Sequence, residues 1–194
     1  MKVREYMVKA PLNIVAAVGL ALGAIFGMVG SVVIAPNLRA ISWAVDGTGL
    51  IVATVILALG YFRAGKDAVS SGFLIWAIGE AVMLGGTAGT LQTSVPSFAA
   101  GAALWSAALF LTCLPKEFAA WTRTAGIIGA LLFAATSARI FWGNALTPLS
   151  RPLPFFAYPF LVITFAGWMW PLLKRQPAAD KGRNFANQLE LALR

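Results

Sequence analysis

The sequence predicts an all-α fold: a polytopic membrane protein built as a bundle of six transmembrane helices, with the N- and C-termini cytoplasmic. Three observations predict it. The 194 residues are 59% hydrophobic and only 11% charged, whereas about a quarter of the residues in a soluble domain are charged. Apolar stretches close to the roughly 20 residues that cross a bilayer recur along the chain. Lys and Arg segregate between alternate connecting segments.

Six apolar segments are predicted to span the membrane and to form one domain over residues 1–173. Polar or turn-forming sequences separate them, among them RAGKD, QTSVPS and PKEFAAWTR. Residues 174–194 are predicted to form a polar, basic cytoplasmic tail. The predicted spans are residues 11–35, 41–62, 69–91, 97–114, 124–143 and 155–173.

The distribution of basic residues predicts the orientation. With the N-terminus in the cytoplasm, twelve of the fifteen Lys and Arg residues are cytoplasmic, and only Arg39, Arg139 and Arg151 lie outside. This is the positive-inside pattern. The net charge of +8 is therefore a topology signal, and no nucleic-acid partner is expected. We predict a multi-pass protein of a bacterial inner (plasma) membrane, with the lipid bilayer as its surroundings.

Tryptophans near the ends of the predicted spans indicate an aromatic belt at the membrane interfaces. Two further tryptophans, Trp76 and Trp105, are expected to lie deeper. The predicted belt consists of Trp43, Trp121, Trp142, Trp168 and Trp170.

Glycines mark two helix faces that allow close backbone approach. Span one has a doubled G-x-x-x-G pattern, and span three has glycines at seven-residue intervals. Small residues favour helix–helix packing in lipid. Each face is expected to pack either within the chain or on another protein, which leaves a homo-oligomer or a larger membrane complex open. The glycines are Gly19, Gly23 and Gly27 in span one and Gly72, Gly79 and Gly86 in span three.

Glu80 is the main candidate for a functional side chain. It lies in the apolar stretch LIWAIGEAVMLGG, about 16 Å from the cytoplasmic end of span three and close to the membrane midplane. Because a charge at that depth is costly, the carboxyl is expected either to be neutral and hydrogen-bonded or to face water or a cation. The first alternative is structural, and the second makes Glu80 part of a solute path or a proton site.

Four polar residues are predicted to form an outer vestibule: Asp46, Arg139, Asn144 and Arg151. Asp46, about five residues into span two, is predicted to lie level with Arg139 and to pair with it, unless Arg139 snorkels outward. Alternatively, Asp46 caps the start of span two, where the helix dipole favours a carboxylate. The proline-rich segment 143–159 is expected to form either a rigid cap over the vestibule or a stiff turn.

The residues that most enzyme chemistry requires are missing. The chain has no His, and Cys113 is its only Cys, which excludes His-ligated metals and a disulfide within the chain. There is no G-x-x-x-x-G-K-[ST] or G-x-S-x-G motif, and no paired carboxylates are predicted on one face. We therefore expect no catalytic residue, no metal and no cofactor, and enzyme is the least favoured class.

Two functions remain. In the first, the bundle is a small transporter or channel, or a subunit of one, with the midplane carboxyl in the path of a small solute or ion. In the second, it is a non-catalytic membrane subunit or assembly factor that binds partner proteins through its glycine-rich faces and basic tail. The central carboxyl favours the first. The short chain, with no obvious repeat of one half in the other, favours the second.

Overall fold

A computed structural model describes residues 10–87 and 89–174. The described residues form six α-helices and no strand, so the all-α fold is confirmed. All six helices are long and apolar enough to cross a membrane. The predicted tail lies outside the described residues except for Lys174. The helices are α1 (Ala10–Val32), α2 (Pro36–Arg63), α3 (Asp67–Gly86), α4 (Val95–Cys113), α5 (Ala120–Phe141) and α6 (Tyr158–Leu173), the last preceded by a short 3₁₀ turn, Phe155–Ala157.

The six helices form a closed ring. Each helix packs against the next one in the chain, and α1 packs against α6 to complete the circle. We call the end of the bundle that holds the α1–α2, α3–α4 and α5–α6 connections the distal end. The opposite end, with the connections at 64–66 and 114–119, is the proximal end.

Proline and glycine set several helix ends. Pro36, Pro96 and Pro159 lie in the first turns of α2, α4 and α6, where the missing N–H has no helical partner to lose. Gly65 and Gly143 adopt φ angles of 69° and 95° directly after α2 and α5. Glycine tolerates this left-handed conformation, which ends a helix and satisfies its last carbonyls.

Both glycine faces are used within the chain. The α1 face packs against α2, where Gly19 contacts the backbone of Gly49. The α3 face packs against α4, and a Cβ added at Gly72 would lie 2.9 Å from the carbonyl oxygen of Ala108. These approaches leave no room for a side chain on either face, so neither face is free to receive another protein.

Serine hydroxyls connect neighbouring helices at depth. Ser106 in α4 donates a 2.8 Å hydrogen bond to the carbonyl of Ala130 in α5. Ser137 in α5 donates a 2.9 Å hydrogen bond in the opposite direction, to Ala99. Such bonds contribute about 0.6 kcal/mol on average in a membrane protein.

Large apolar side chains cover the outside of the ring. Their exposure suits a surface surrounded by lipid rather than by water. Together with the length of the helices, it gives the chain the architecture of a multi-pass membrane protein in contact with lipid. Examples are Ile14, Ile25, Ile41, Leu59, Ile78, Leu131 and Ile163.

An aromatic cluster fills the proximal part of the ring. At its centre is Trp76, which has no exposed surface. Its ring stacks on Trp105 at 5.1 Å with an interplanar angle of 5° and meets the rings of Phe165 and Trp168 edge-on. These contacts join α3, α4 and α6 across the ring. The cluster consists of Tyr61, Phe73, Trp76, Trp105, Phe118, Phe133, Phe165 and Trp168.

The predicted tryptophan belt is partly wrong. Trp121, Trp142 and Trp170 are exposed near helix ends, as a belt requires. Trp168, however, is 1% exposed and belongs to the aromatic cluster. Trp43 is half-buried and faces the interior, where it covers Gly30 of α1.

Candidate functional site

The distal half of the ring contains a cavity of about 540 Å³. Five helices line it, all except α5. Thr90 and Gln92, which are exposed at the distal end, line its mouth, together with Pro148 of the α5–α6 connection. Trp105 and Phe165 line its floor. Both floor residues belong to the aromatic cluster, so the cavity is closed on the proximal side, and the exposed residues Thr90 and Gln92 place its mouth at the distal end.

Glu80 lies at this floor. It is 3% exposed and lines the cavity, about 20 Å along α3 from the proximal end of the helix. The indole N–H groups of Trp76 and Trp105 lie beside its carboxyl. Nevertheless, within the described chain Oε1 of Glu80 and both indole nitrogens have no hydrogen-bond partner. The two indole donors therefore lie beside the carboxyl acceptor without completing a hydrogen bond to Oε1, and buried polar atoms in that state are rare in native proteins.

Asp46 reaches the same cavity from α2. A Cβ added at Gly27 would lie 3.0 Å from Oδ2 of Asp46, so the glycine makes room for the carboxyl. Oδ1 is buried and has no hydrogen-bond partner among the described residues. The charges of Asp46 and Glu80 are close enough to act on each other, and two carboxyls therefore share one cavity.

The expected position of Asp46 was wrong because α2 starts earlier than predicted. The helix begins at Pro36, with Ala35 as its N-cap, not near residue 41. Asp46 therefore lies about 15 Å inside the helix and cannot cap it. The extra turn moves the carboxyl from the predicted outer interface toward the depth of Glu80.

The predicted pair between Asp46 and Arg139 is not formed. Arg139 is exposed on α5, the one helix that does not line the cavity. The ion pair found in the described chain lies at the proximal end instead, where Lys66 Nζ is 2.7 Å from Glu117 Oε1.

Asn144 and Arg151 also lie away from the cavity lining. The Asn144 side chain donates to the carbonyl of Arg139 at 3.1 Å and so caps the end of α5. The guanidinium of Arg151 is exposed and lies 4.2 Å from the centre of the Phe155 ring. Of the four predicted vestibule residues, only Asp46 lines the cavity.

Three residues that line the cavity were not predicted from the sequence to belong to the site. Arg39 lies at the mouth, where Nη2 donates 3.1 Å bonds to the carbonyls of Val33 and Ile34 at the end of α1. Trp43 lines the wall. Tyr158 of α6 lies within electrostatic reach of both carboxyls and donates a 2.8 Å hydrogen bond to the carbonyl of Pro148.

A sequence signal for the α2 part of the site existed. Arg39, Trp43 and Asp46 follow the i, i+4, i+7 spacing that places residues on one helical face. The predicted span two begins only at residue 41, so this face lies partly outside the predicted helix and Arg39 is predicted to be an external charge. Tyr158 had no comparable signal, since it depends on how α6 packs against the ring.

Comparisons with known proteins add no family: no protein family model, curated protein or solved structure matches the chain. The fold and the site define a class, a multi-pass membrane protein with a carboxyl-floored cavity among its helices.

Proposed function

We propose that the protein is a small transporter or channel, alone or as a subunit, and that the cavity is part of the path of a small solute or ion. The proposed setting is a bacterial inner membrane, with both termini in the cytoplasm and the distal end outside. One observation supports this most directly. The cavity leads from the distal end to Glu80, a carboxyl deep in the bundle whose Oε1 has no hydrogen-bond partner in the described chain.

The energetics of the site favour a path over a scaffold. An ionisable group within the membrane costs several kcal/mol, and an unpartnered buried polar atom adds about 1–3 kcal/mol. The indole N–H groups beside the carboxyl offset that cost only in part, because Oε1 of Glu80 completes no hydrogen bond with them in the described chain. A purely structural bundle would be more stable with an apolar residue there.

Passage through the bundle requires the floor to move. Trp105 and Phe165 line the proximal side of the cavity, and both rings contact the ring of Trp76, which is stacked on Trp105 and edge-on to Phe165. We assign these three residues as the gate. Glu80 is one helical turn from Trp76 and lies beside both indoles, so a change in its charge or hydrogen bonding acts directly on the gate.

The alternative is a membrane subunit that binds partners through its glycine-rich faces. The structure makes this less favoured, because both faces are already occupied within the chain. Gly19 and Gly72 pack against α2 and α4 of the same chain. A partner protein would have to use the apolar outer surface or the basic tail.

Cysteine accessibility tests the path. The native thiol is removed by Cys113→Ala, and a new one is placed in the cavity by Met83→Cys. Ile78→Cys is the control, because Ile78 is 54% exposed on the outer face of the same helix, where a thiol in lipid does not ionise. Charged, membrane-impermeant thiosulfonates are added to right-side-out and to inside-out vesicles.

If the cavity is part of a path, the thiosulfonates should modify the thiol of Met83→Cys from both sides of the membrane, at rates that differ between the open and the closed gate. The thiol of Ile78→Cys should stay unmodified. Modification of Met83→Cys from the distal side alone, in all conditions, shows a blind cavity and overturns the transport proposal.

A further inference from the structure

We infer that the cavity binds a monovalent organic cation with an apolar body, such as an alkyl- or aryl-substituted ammonium, with Glu80 as its counter-ion. This inference deepens the proposed function by naming the class of solute, and it rests on that function.

The charges in the cavity point to a cation. Asp46 and Glu80 both line it, and each has a buried carboxyl oxygen with no partner in the described chain. The one basic residue that lines the cavity in the described chain, Arg39, is at the mouth, where its Nη2 donates to the carbonyls of Val33 and Ile34 directly after α1 and its buried Nε has no partner. An anion at the floor would meet two carboxyls, whereas a cation would supply the charge that both lack.

The walls point to an organic cation rather than a metal ion. Metal ions such as Ca²⁺ take six to eight oxygen ligands, and the described chain contains no group of three His, Cys, Asp or Glu side chains that could hold a metal. An apolar body would gain free energy by leaving water. The walls that would receive it include Leu50, Met83, Phe98, Leu161 and Phe165.

The aromatic floor strengthens the same preference. Trp105 and Phe165 line the cavity beside Glu80. Aromatic faces attract ammonium groups, and the attraction is largest where water is excluded. The carboxyl and the rings therefore offer a quaternary or protonated amine both charge neutralisation and dispersion contact, and the volume of about 540 Å³ suits a drug-sized ligand.

The test compares two probes of the same shape and opposite charge. Tetraphenylphosphonium and tetraphenylborate are titrated into the detergent-solubilised protein, and binding is followed by calorimetry. We expect the cation to bind the native protein at least about tenfold more tightly than the anion. Glu80→Gln should weaken cation binding by at least about tenfold and Asp46→Asn should weaken it less. Asp67→Asn, which removes an exposed carboxyl from the proximal end of α3, should leave it unchanged.

Equal binding of the two probes by the native protein overturns the inference even if no variant folds. So does cation binding that survives both Glu80→Gln and Asp46→Asn. The proposed function is judged separately. Charge-selective binding with Met83→Cys modified from one side only leaves a cation receptor that does not transport. Modification from both sides without charge selectivity leaves a path for another class of solute.

Discussion

The carboxyl of Glu80 and the indole N–H of Trp105 meet at the floor of the cavity, from α3 and α4, without completing a hydrogen bond. Close helix packing brings them together, because a Cβ added at Gly79 would lie 3.0 Å from Cδ1 of Trp105. The approach of the two helices therefore sets the geometry of the floor, which leaves Oε1 of Glu80 without a completed hydrogen bond among the described residues.

Removing the charge at Glu80 should not weaken the fold. Glu80→Gln keeps the size of the side chain, and the carboxyl it replaces has an oxygen with no hydrogen-bond partner in the described chain. We expect the free energy of unfolding in detergent to stay within about 0.5 kcal/mol or to rise. A fall of about 3 kcal/mol or more would mean that the carboxyl holds the bundle together, as a structural residue does.

The glycine face of α1 should be intolerant of a methyl group. Gly19→Ala would press a Cβ against the backbone of Gly49 and the side chain of Ala53, and we expect a loss of about 1–3 kcal/mol of unfolding free energy. Gly85→Ala is the matched control, because nothing lies within 4 Å of its added Cβ. It should stabilise by up to about 1 kcal/mol through helix propensity. Equal effects of the two substitutions would contradict the close α1–α2 packing.

The serine hydrogen bonds between α4 and α5 should contribute independently. Ser106→Ala and Ser137→Ala each remove one bond, and each should lower the unfolding free energy by about 0.6 kcal/mol. Since the bonds lie two helical turns apart, the double variant should show the sum. Ser71→Ala, on the exposed side of α3, should show no change. A double variant no less stable than either single variant would rule out two separate bonds.

Binding of an organic cation should tighten as the pH rises. A proton and the cation compete for the Glu80 carboxyl, so the ionised form binds and the protonated form does not. The other titratable or charged groups that line the cavity in the described chain are Asp46 and Arg39 from α2 and Tyr158 from α6. Titrations at a series of pH values should show tetraphenylphosphonium affinity rising by up to tenfold per pH unit where one proton is released.

In Glu80→Gln the pH dependence should shrink to whatever Asp46 contributes. A native protein whose cation affinity is independent of pH, or falls as the pH rises, would show that no carboxyl competes with the ligand.

The number and type of helices could be predicted from the sequence because each span is a local pattern, an apolar run long enough to cross a membrane. The sequence also singled out Glu80, since a carboxyl inside such a run is conspicuous. It misplaces Asp46 because the predicted span two begins at residue 41, whereas the helix begins at Pro36, a residue type that suits the first turn of a helix. Because the first turn of α2 was not predicted, the sequence did not indicate that Asp46 and Glu80 share a cavity.

The aromatic cluster could not be predicted from periodicity. Trp76, Trp105 and Trp168 belong to three helices, and their contacts depend on the order of the helices around the ring. The exposure of Arg139 also depends on the order of the helices around the ring. Its charge suggested a partner for Asp46, but α5 lies away from the cavity in the ring. The order of the helices cannot be predicted from a local sequence pattern.

The most direct test of the central claim, that the cavity brings solvent and solute to Glu80, is the infrared carboxyl band of the protein in lipid. The Glu80 band is isolated by subtracting the spectrum of Glu80→Gln, and the sample is then transferred to deuterated water. We predict prompt exchange of the carboxyl proton and a band that responds to bulk pH and to added tetraphenylphosphonium. A band that stays unexchanged for hours and ignores both would show a sealed, neutral carboxyl, and the proposed path would lose the residue on which it depends.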